Sequence, residues 1–180
     1  MTFVVDGTNG LTFNDATTQA STATNASNIS SGTLGKARLP TGSVLQVVSF
    51  SNGTQLATSS ASWVATSLTA SITPLFSTSK ILIMALGGTV DNNPGTNSQC
   101  YLSIFRNSAT NLGNANYGIV ETYTSGSTRI QVNGTLGYLD SPATTSATTY
   151  TVYMKTNAAA TCYYNVDGTI STIVLQEISA

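Results

Sequence analysis

Short apolar runs separated by polar punctuation fill most of this chain, and one stretch breaks the pattern. Residues 2–13, TFVVDGTNGLTF, hold two short β-prone pieces around an Asp-Gly-Thr-Asn-Gly turn signal. Between Phe13 and Val44 the apolar positions then nearly vanish. Only Ile29, Leu34 and Leu39 interrupt NDATTQASTATNASNISSGTLGKARLPTGS as large aliphatics. Their even spacing fits neither the helical period nor the strand period. Such a tract buries too little surface to offset the entropy of ordering it alone. It is expected to be a connector ordered by identical copies of itself, with Ile29, Leu34 and Leu39 as the contacts.

From Val44 onward the pattern is that of strands. VLQVVSF at 44–50 is rich in β-branched residues, and SWVATSLTASITP at 62–74 places Val64, Leu68 and Ile72 on one parity before Pro74 stops it. KILIMALGGTV at 80–90 is apolar on both faces and predicts a central strand. CYLSIFRN at 100–107 alternates, with Tyr101, Ser103 and Phe105 opposing Leu102, Ile104 and Arg106. YGIVETYT at 117–124 predicts a weaker strand, and RIQVNGTLGYLD at 129–140 reads as two strands across an Asn-Gly turn or as one strand with a bulge. TTYTVYMKTN at 148–157, ATCYYNVDGT at 160–169 and STIVLQEIS at 171–179 complete the series. The Asn-Gly pairs at 52–53 and 133–134 are expected to be hairpin turns, and VDGT at 166–169 a β-turn. Roughly eight or nine short strands, recurring about every ten residues without a helical stretch, predict an antiparallel sandwich or barrel.

Length and composition bound what such a fold can serve. A chain of 180 residues makes one domain, or one domain with an appendage, here divided into an attachment and stem segment at 1–42 and a head at 43–180. Hydrophobic residues at 41% supply a core, while charged residues are only 7%, against roughly a quarter in ordinary soluble proteins. Solubility therefore rests on neutral groups, including 31 Thr and 23 Ser. Six Lys and Arg cannot supply the phosphate neutralisation of nucleic-acid binding, nor a basic patch for an anionic membrane. The longest apolar run, ILIMALGG at 81–88, has strand length, so no membrane insertion is expected. The N-terminus lacks both a basic region and a long apolar run. Synthesis in a cytoplasm followed by assembly into something larger is expected rather than secretion.

The chemistry that remains is sparse. Without histidine there is no Ser–His–Asp triad and no zinc or iron cluster, and neither a catalytic residue nor a cofactor is expected. Cys100 and Cys162 lie in separate apolar segments as expected core residues, with their pairing open. The carboxylates are Asp6, Asp15, Asp91, Glu121, Asp140, Asp167 and Glu177. Asp91 and Glu121 are the two that could meet at one end of the head as a glycosidase pair, against the simpler reading of each as a loop or surface group. Lys80 either pairs with Glu177 or stands solvated at a strand start. Arg106 and Arg129 accompany Tyr117, Tyr123 and Tyr138 in the middle of the chain. Rings, amides and a cation together make a surface able to stack on sugars or meet a protein.

Several phrases together resemble bacteriophage fibre proteins. GLTFNDATTQ at 10–19 resembles the LTFPDGTTQ phrase of fibre N-termini and stem junctions, with Asn14-Asp15-Ala16 where Pro-Asp-Gly is usual. NASNISSGTLGKARLPTGSVLQVV at 25–48 resembles the linker that joins stems to heads. SLTASITPLFSTSKILIMALGG at 67–88 resembles the core of a small β-sandwich head, and residues 148–179 resemble its closing strand pair. The likeness runs from about residue 10 to the end and is weakest over 89–147. It implies an all-β, antiparallel, jelly-roll-like β-sandwich head on an extended N-terminal stem, assembled as a homotrimer on a virion. Residues 1–42 would meet other virion proteins, and the head would bind a host glycan or protein. Asn92, Asn93, Arg106, Tyr117, Tyr123 and Arg129 are the receptor-facing candidates. Host attachment at the tail is the first expectation. A capsid-decorating head fibre is the second, a carbohydrate-active module the third, and a bacterial surface adhesin is a further rival.

Overall fold

The computed structural model describes residues 4–6, 10–12, 18–19, 35–93, 97–126, 128–157 and 161–180. They fall into two compact units, Met1–Arg38 and Leu39–Ala180. Among the described residues no α-helix occurs and every strand pair is antiparallel, so the fold is all-β.

In the first unit, β1 (Val4–Asp6), β2 (Gly10–Thr12) and β3 (Thr18–Gln19) form a small sheet in that order. Val4 lies opposite Thr12 and Asp6 opposite Gly10, so the first two strands pair on either side of the expected turn. A single 3-10 turn, Lys36–Arg38, closes the unit. Ile29 and Leu34 lie outside the described residues. Leu39, half-buried, begins the second unit.

The second unit continues with β4 (Val44–Asn52), β5 (Leu56–Thr58), β6 (Val64–Ile72), β7 (Lys80–Gly87) and β8 (Thr89–Asn93). Then follow β9 (Ser98–Arg106), β10 (Thr110–Asn111), β11 (Val120–Thr124), β12 (Ile130–Asn133) and β13 (Leu136–Asp140). The chain closes with β14 (Thr148–Thr156), β15 (Thr161–Tyr164) and β16 (Ser171–Ile178). Two four-stranded sheets have the orders β13-β7-β16-β4 and β12-β8-β15-β5. The third has the order β10-β9-β14-β6, with β11 also paired to β9.

The first two sheets are halves of one layer broken crosswise. Each strand of one runs in sequence into the strand at the same place in the other: β4 into β5, β7 into β8, β12 into β13 and β15 into β16. At the break Gly87 and Gly88 hold φ of 76° and 70°, where a side chain is strained. Space forbids one as well, since a Cβ on Gly87 would stand 2.8 Å from the Ile170 carbonyl oxygen. Gly88 N–H donates to Ile170 O at 3.0 Å, and Gly134 N–H donates to Gly88 O at 2.9 Å, which stitches the break. The expectation that both Asn-Gly pairs close hairpins is therefore corrected. β4 pairs with β16 while β5 pairs with β15, and β12 pairs with β8 while β13 pairs with β7. Each Asn-Gly pair marks the point where a strand leaves one half-layer for the other. VDGT forms the expected β-turn: Thr169 N–H donates to Val166 O at 3.1 Å, with positive φ at Asp167 and Gly168.

The two layers share one core in a sandwich-like arrangement. Leu68 of β6, Ile81 and Ile83 of β7, Ile104 of β9, Val152 of β14, and Ile173 and Leu175 of β16 are all 0% exposed. Each such side chain contributes about 1.5–3 kcal/mol by burial. Strand alternation explains why these residues were chosen, because every second position of β6 and β16 faces inward. Cys100 of β9 and Cys162 of β15 form a disulfide with a Cα–Cα distance of 5.6 Å. Both residues sit in the core as expected, and their bond ties one layer to the other.

Glu177 is 0% exposed at the edge of this core. Burial pushes its carboxyl up, but hydrogen bonds outweigh burial and hold it below the usual carboxylate range. Gln46 Nε2 donates to it at 2.6 Å and Leu75 N–H at 2.8 Å, which fixes the β6–β7 connection beneath the end of β16. Lys80 is exposed, and among the described residues the ion pairs are Arg106–Asp140 and Arg129–Asp91, so the Lys80–Glu177 alternative is not realised.

Candidate functional site

The outward face of β9, β14 and β11 carries an aromatic ledge. Leu102, Ile104, Val152 and Met154 point into the core, so the alternate residues lie on the opposite side of the sheet, where Tyr101, Ser103, Phe105 and Thr151 are also buried and Gln99, Tyr153 and Lys155 are half-buried. Register places Tyr153 opposite Ser103 and Lys155 opposite Tyr101. Phe105 and Tyr153 stack at 4.1 Å between ring centroids, and Trp63, just before β6, tilts onto Phe105 at 5.7 Å. Lys155 Nζ stands 4.9 Å from the centre of the Trp63 ring and 5.3 Å from that of Tyr101. A cation over two ring faces contributes about 0.5–2 kcal/mol, and here it spaces the rings apart on the surface.

The connection from β10 to β11 folds across this face. Leu112 N–H donates to Ile104 O and Ile119 N–H to Leu102 O, while Trp63 Nε1 donates to Ala115 O at 3.2 Å. Gly118 makes the close approach possible: its φ is 70°, and a Cβ would lie 2.3 Å from Leu102 O and 2.8 Å from the Trp63 ring. The loop carries Tyr117 to the edge of the ledge, 54% exposed and 6.0 Å from Tyr101. Tyr101 OH donates to Gln99 Oε1 at 2.6 Å, and Gln99 Nε2 donates to Glu121 at 2.7 Å. Burial, with the nearby Glu121 charge and Tyr117, pushes the Tyr101 hydroxyl up, so it remains a donor across the neutral range. Tyr123, 53% exposed, donates to Asn97 Oδ1 at 3.1 Å beside this network.

Of the six receptor-facing candidates, Tyr117 and Tyr123 therefore lie on the ledge or at its margin. The others lie elsewhere. Asn92 does not face outward: it is 0% exposed, and its side chain exchanges two hydrogen bonds with Ser98 across the β8–β9 connection. Asn93 is exposed at the end of β8, opposite Thr161. Arg106 clamps Asp140 with Nη1 at 2.9 Å from both carboxylate oxygens, and Tyr150 donates to the same carboxylate at 2.8 Å. Arg129 clamps Asp91 through Nε and Nη2. Both guanidinium groups are thus engaged by buried carboxylates. The residues that build the ledge but were not singled out are Trp63, Tyr101, Phe105, Tyr153 and Lys155. Shared parity along CYLSIFRN and TTYTVYMKTN was their only signal.

A second concavity, an open cavity of 540 Å³, follows the break in the split layer. Gly88, Thr89, Gln131, Val132, Asn133, Thr169 and Ile170 line it, without a carboxylate. Asp91 and Glu121 are occupied with Arg129 and Gln99 respectively. A glycosidase needs two carboxyl groups facing one cleft, and this cavity offers none. Among the described residues no group of three or more metal-ligating side chains occurs, and no helix is long and apolar enough to cross a membrane. No protein-family profile matches the chain, and no curated protein is significantly similar to it.

Proposed function

We propose that the chain is a non-enzymatic bacteriophage structural fibre protein. It would be a homotrimer whose N-terminal segment forms an extended stem on the virion and whose head adsorbs to the host surface at the tail. The head is read as a jelly roll. In order along the chain β4, β6, β7, β9, β11, β13, β14 and β16 are its eight strands. Their arrangement as first, eighth, third and sixth in one layer, and second, seventh, fourth and fifth in the other, supports that reading. Architecture alone does not assign a function, so the adsorption reading rests on the site.

The observation that carries it is the ledge: exposed Tyr117 and half-buried Trp63, Tyr153, Lys155 and Gln99 gathered on one side of the sheet, over the buried rings of Tyr101 and Phe105. Ring faces with a few amides suit a sugar ring or a protein loop, held weakly at each head and repeated over many copies. Electron microscopy of intact particles labelled with an antibody against this chain tests the placement. Label at the tail is expected, and label on the capsid replaces adsorption with decoration. Purified chain is expected to compete with phage adsorption, with competition lost in Trp63→Ala and Tyr117→Ala. Undiminished competition by both variants rejects the ledge as the contact.

A further inference from the structure

The outward face of the β13-β7-β16-β4 sheet is aliphatic. Register aligns Leu139, Leu82, Gln176 and Val47 in one row across the sheet, and Gly137, Met84, Val174 and Ser49 in the next. Leu86 extends the patch along β7. Val47 is 56% exposed, Leu139 50% and Leu86 42%, while Leu82, Met84 and Val174 are half-buried. Lys80, at one corner, is the only charge at the outward positions of these four strands.

We propose that three copies of the chain pack through this face around a common axis. The inference deepens the trimeric reading above and rests on it for the existence of an assembly. Three features favour further copies of the same chain as the occupant. First, symmetry brings equivalent side chains of each copy together near the axis, and a face almost without charge meets its own image without repulsion. Second, four strands at about 4.8 Å spacing and eight residues at about 3.3 Å rise give roughly 500 Å². Each copy shares that area between two neighbours, so each pairwise contact hides roughly 500 Å², less than a standard two-body interface, and the assembly draws on all three contacts closing together. Third, the width suits a closed ring of three copies and not a larger one. Three sheets about 19 Å wide, set as the sides of a triangular prism, leave each roughly 5.5 Å from the axis, close to half the ~10 Å spacing of packed sheets. Side chains from three sheets then meet at the centre without a void.

Light scattering on the full chain tests this. The wild type is expected at three times 18.6 kDa, and the pair Leu82→Glu with Val174→Glu at 18.6 kDa, with the strand signature in circular dichroism retained. Thr69→Glu, on the outward face of the other layer, is expected to keep the threefold mass. Peptide mapping after mild peroxide gives a readout that needs no variant. Met84 in the wild type is expected to oxidise as slowly as the fully buried Met154, and at least tenfold faster in the double variant. A wild-type trimer that survives the double substitution overturns this interface and leaves the trimeric reading standing. A monomeric wild type overturns both, and a monomer with Met84 protected assigns the cover to the chain's own N-terminal residues.

Discussion

The two outward faces of the sandwich-like second unit are made by the same alternation of side chains yet differ in character. On one, Val47, Leu82, Met84, Leu86, Leu139 and Val174 form a mainly aliphatic surface, with Ser49, Gln176 and one hydroxyl pair, Ser51–Thr172 at 2.8 Å, among them and a single charge at its corner. On the other, rings and a lysine stand beside a ladder of hydroxyls, where Thr69 meets Thr151 at 2.7 Å and Ser71 meets Thr149 at 2.6 Å. Aliphatic side chains offer water nothing, so burial is their most favourable state. Rings with hydroxyl, indole or cationic partners are stable half-wet, as Trp63, Tyr117 and Tyr153 are here above the buried Tyr101 and Phe105. The difference teaches which face is suited to permanent contact and which to reversible contact.

The strongest way to break that contrast is the double substitution Leu82→Glu with Val174→Glu, for which complete loss of assembly with unchanged ligand binding is expected. A ledge variant with the same effect on mass would erase the distinction. Next in size is the bond that holds the two layers back to back. Cys100→Ser with Cys162→Ser releases a crosslink between residues 62 apart, and chemical denaturation is expected to report a loss of about 4 kcal/mol. Glu177→Ala strips a buried acceptor from Gln46 and from Leu75 N–H, for about 2–3 kcal/mol in the same measurement. Because the folded carboxyl lies below its ordinary value of 4.5, its contribution is complete above that pH and is lost as the pH falls through the folded value. Melting temperature measured against pH is expected to drop on the acid side, and to drop less in Glu177→Gln. Smallest on stability is Lys155→Ala, at about 1 kcal/mol, with loosened rings seen as a change in Trp63 fluorescence.

Strand positions were legible in the sequence wherever apolar parity was strict, as in Leu68, Ala70 and Ile72 of β6 or Ile173 and Leu175 of β16. KILIMALGGTV reads as central, and β7 is interior to its sheet, but only Ile81, Ile83 and Ala85 are buried within the chain. Its second apolar parity, Leu82, Met84 and Leu86, is the aliphatic face. The crosswise break was not legible. An Asn-Gly pair specifies backbone freedom at a point, while the pairing of β12 with β8 and of β13 with β7 is set by residues about 40–60 positions away. The ledge was hidden for a related reason. Trp63, just before β6, Phe105 of β9 and Tyr153 of β14 are brought side by side only by tertiary pairing, and Arg106 and Arg129 drew attention as cations although buried carboxylates occupy them.

Where the chain joins the head has a mechanical consequence. Residues 1–38 connect through Leu39–Ser43 to β4, an edge strand bound along its length to β16. Gly42 N–H donates to Ser179 O, and Ser179 N–H returns to Ser43 O, so the start of the second unit and the C-terminal residues are clasped together. A pull directed along β4 loads its hydrogen bonds to β16 together, as a shear, because those bonds run across the strands. A pull directed sideways opens them one after another from Ser43. The second unit therefore resists tension strongly in one direction and yields in another, with a lifetime under load set by the rate of unfolding rather than by equilibrium stability.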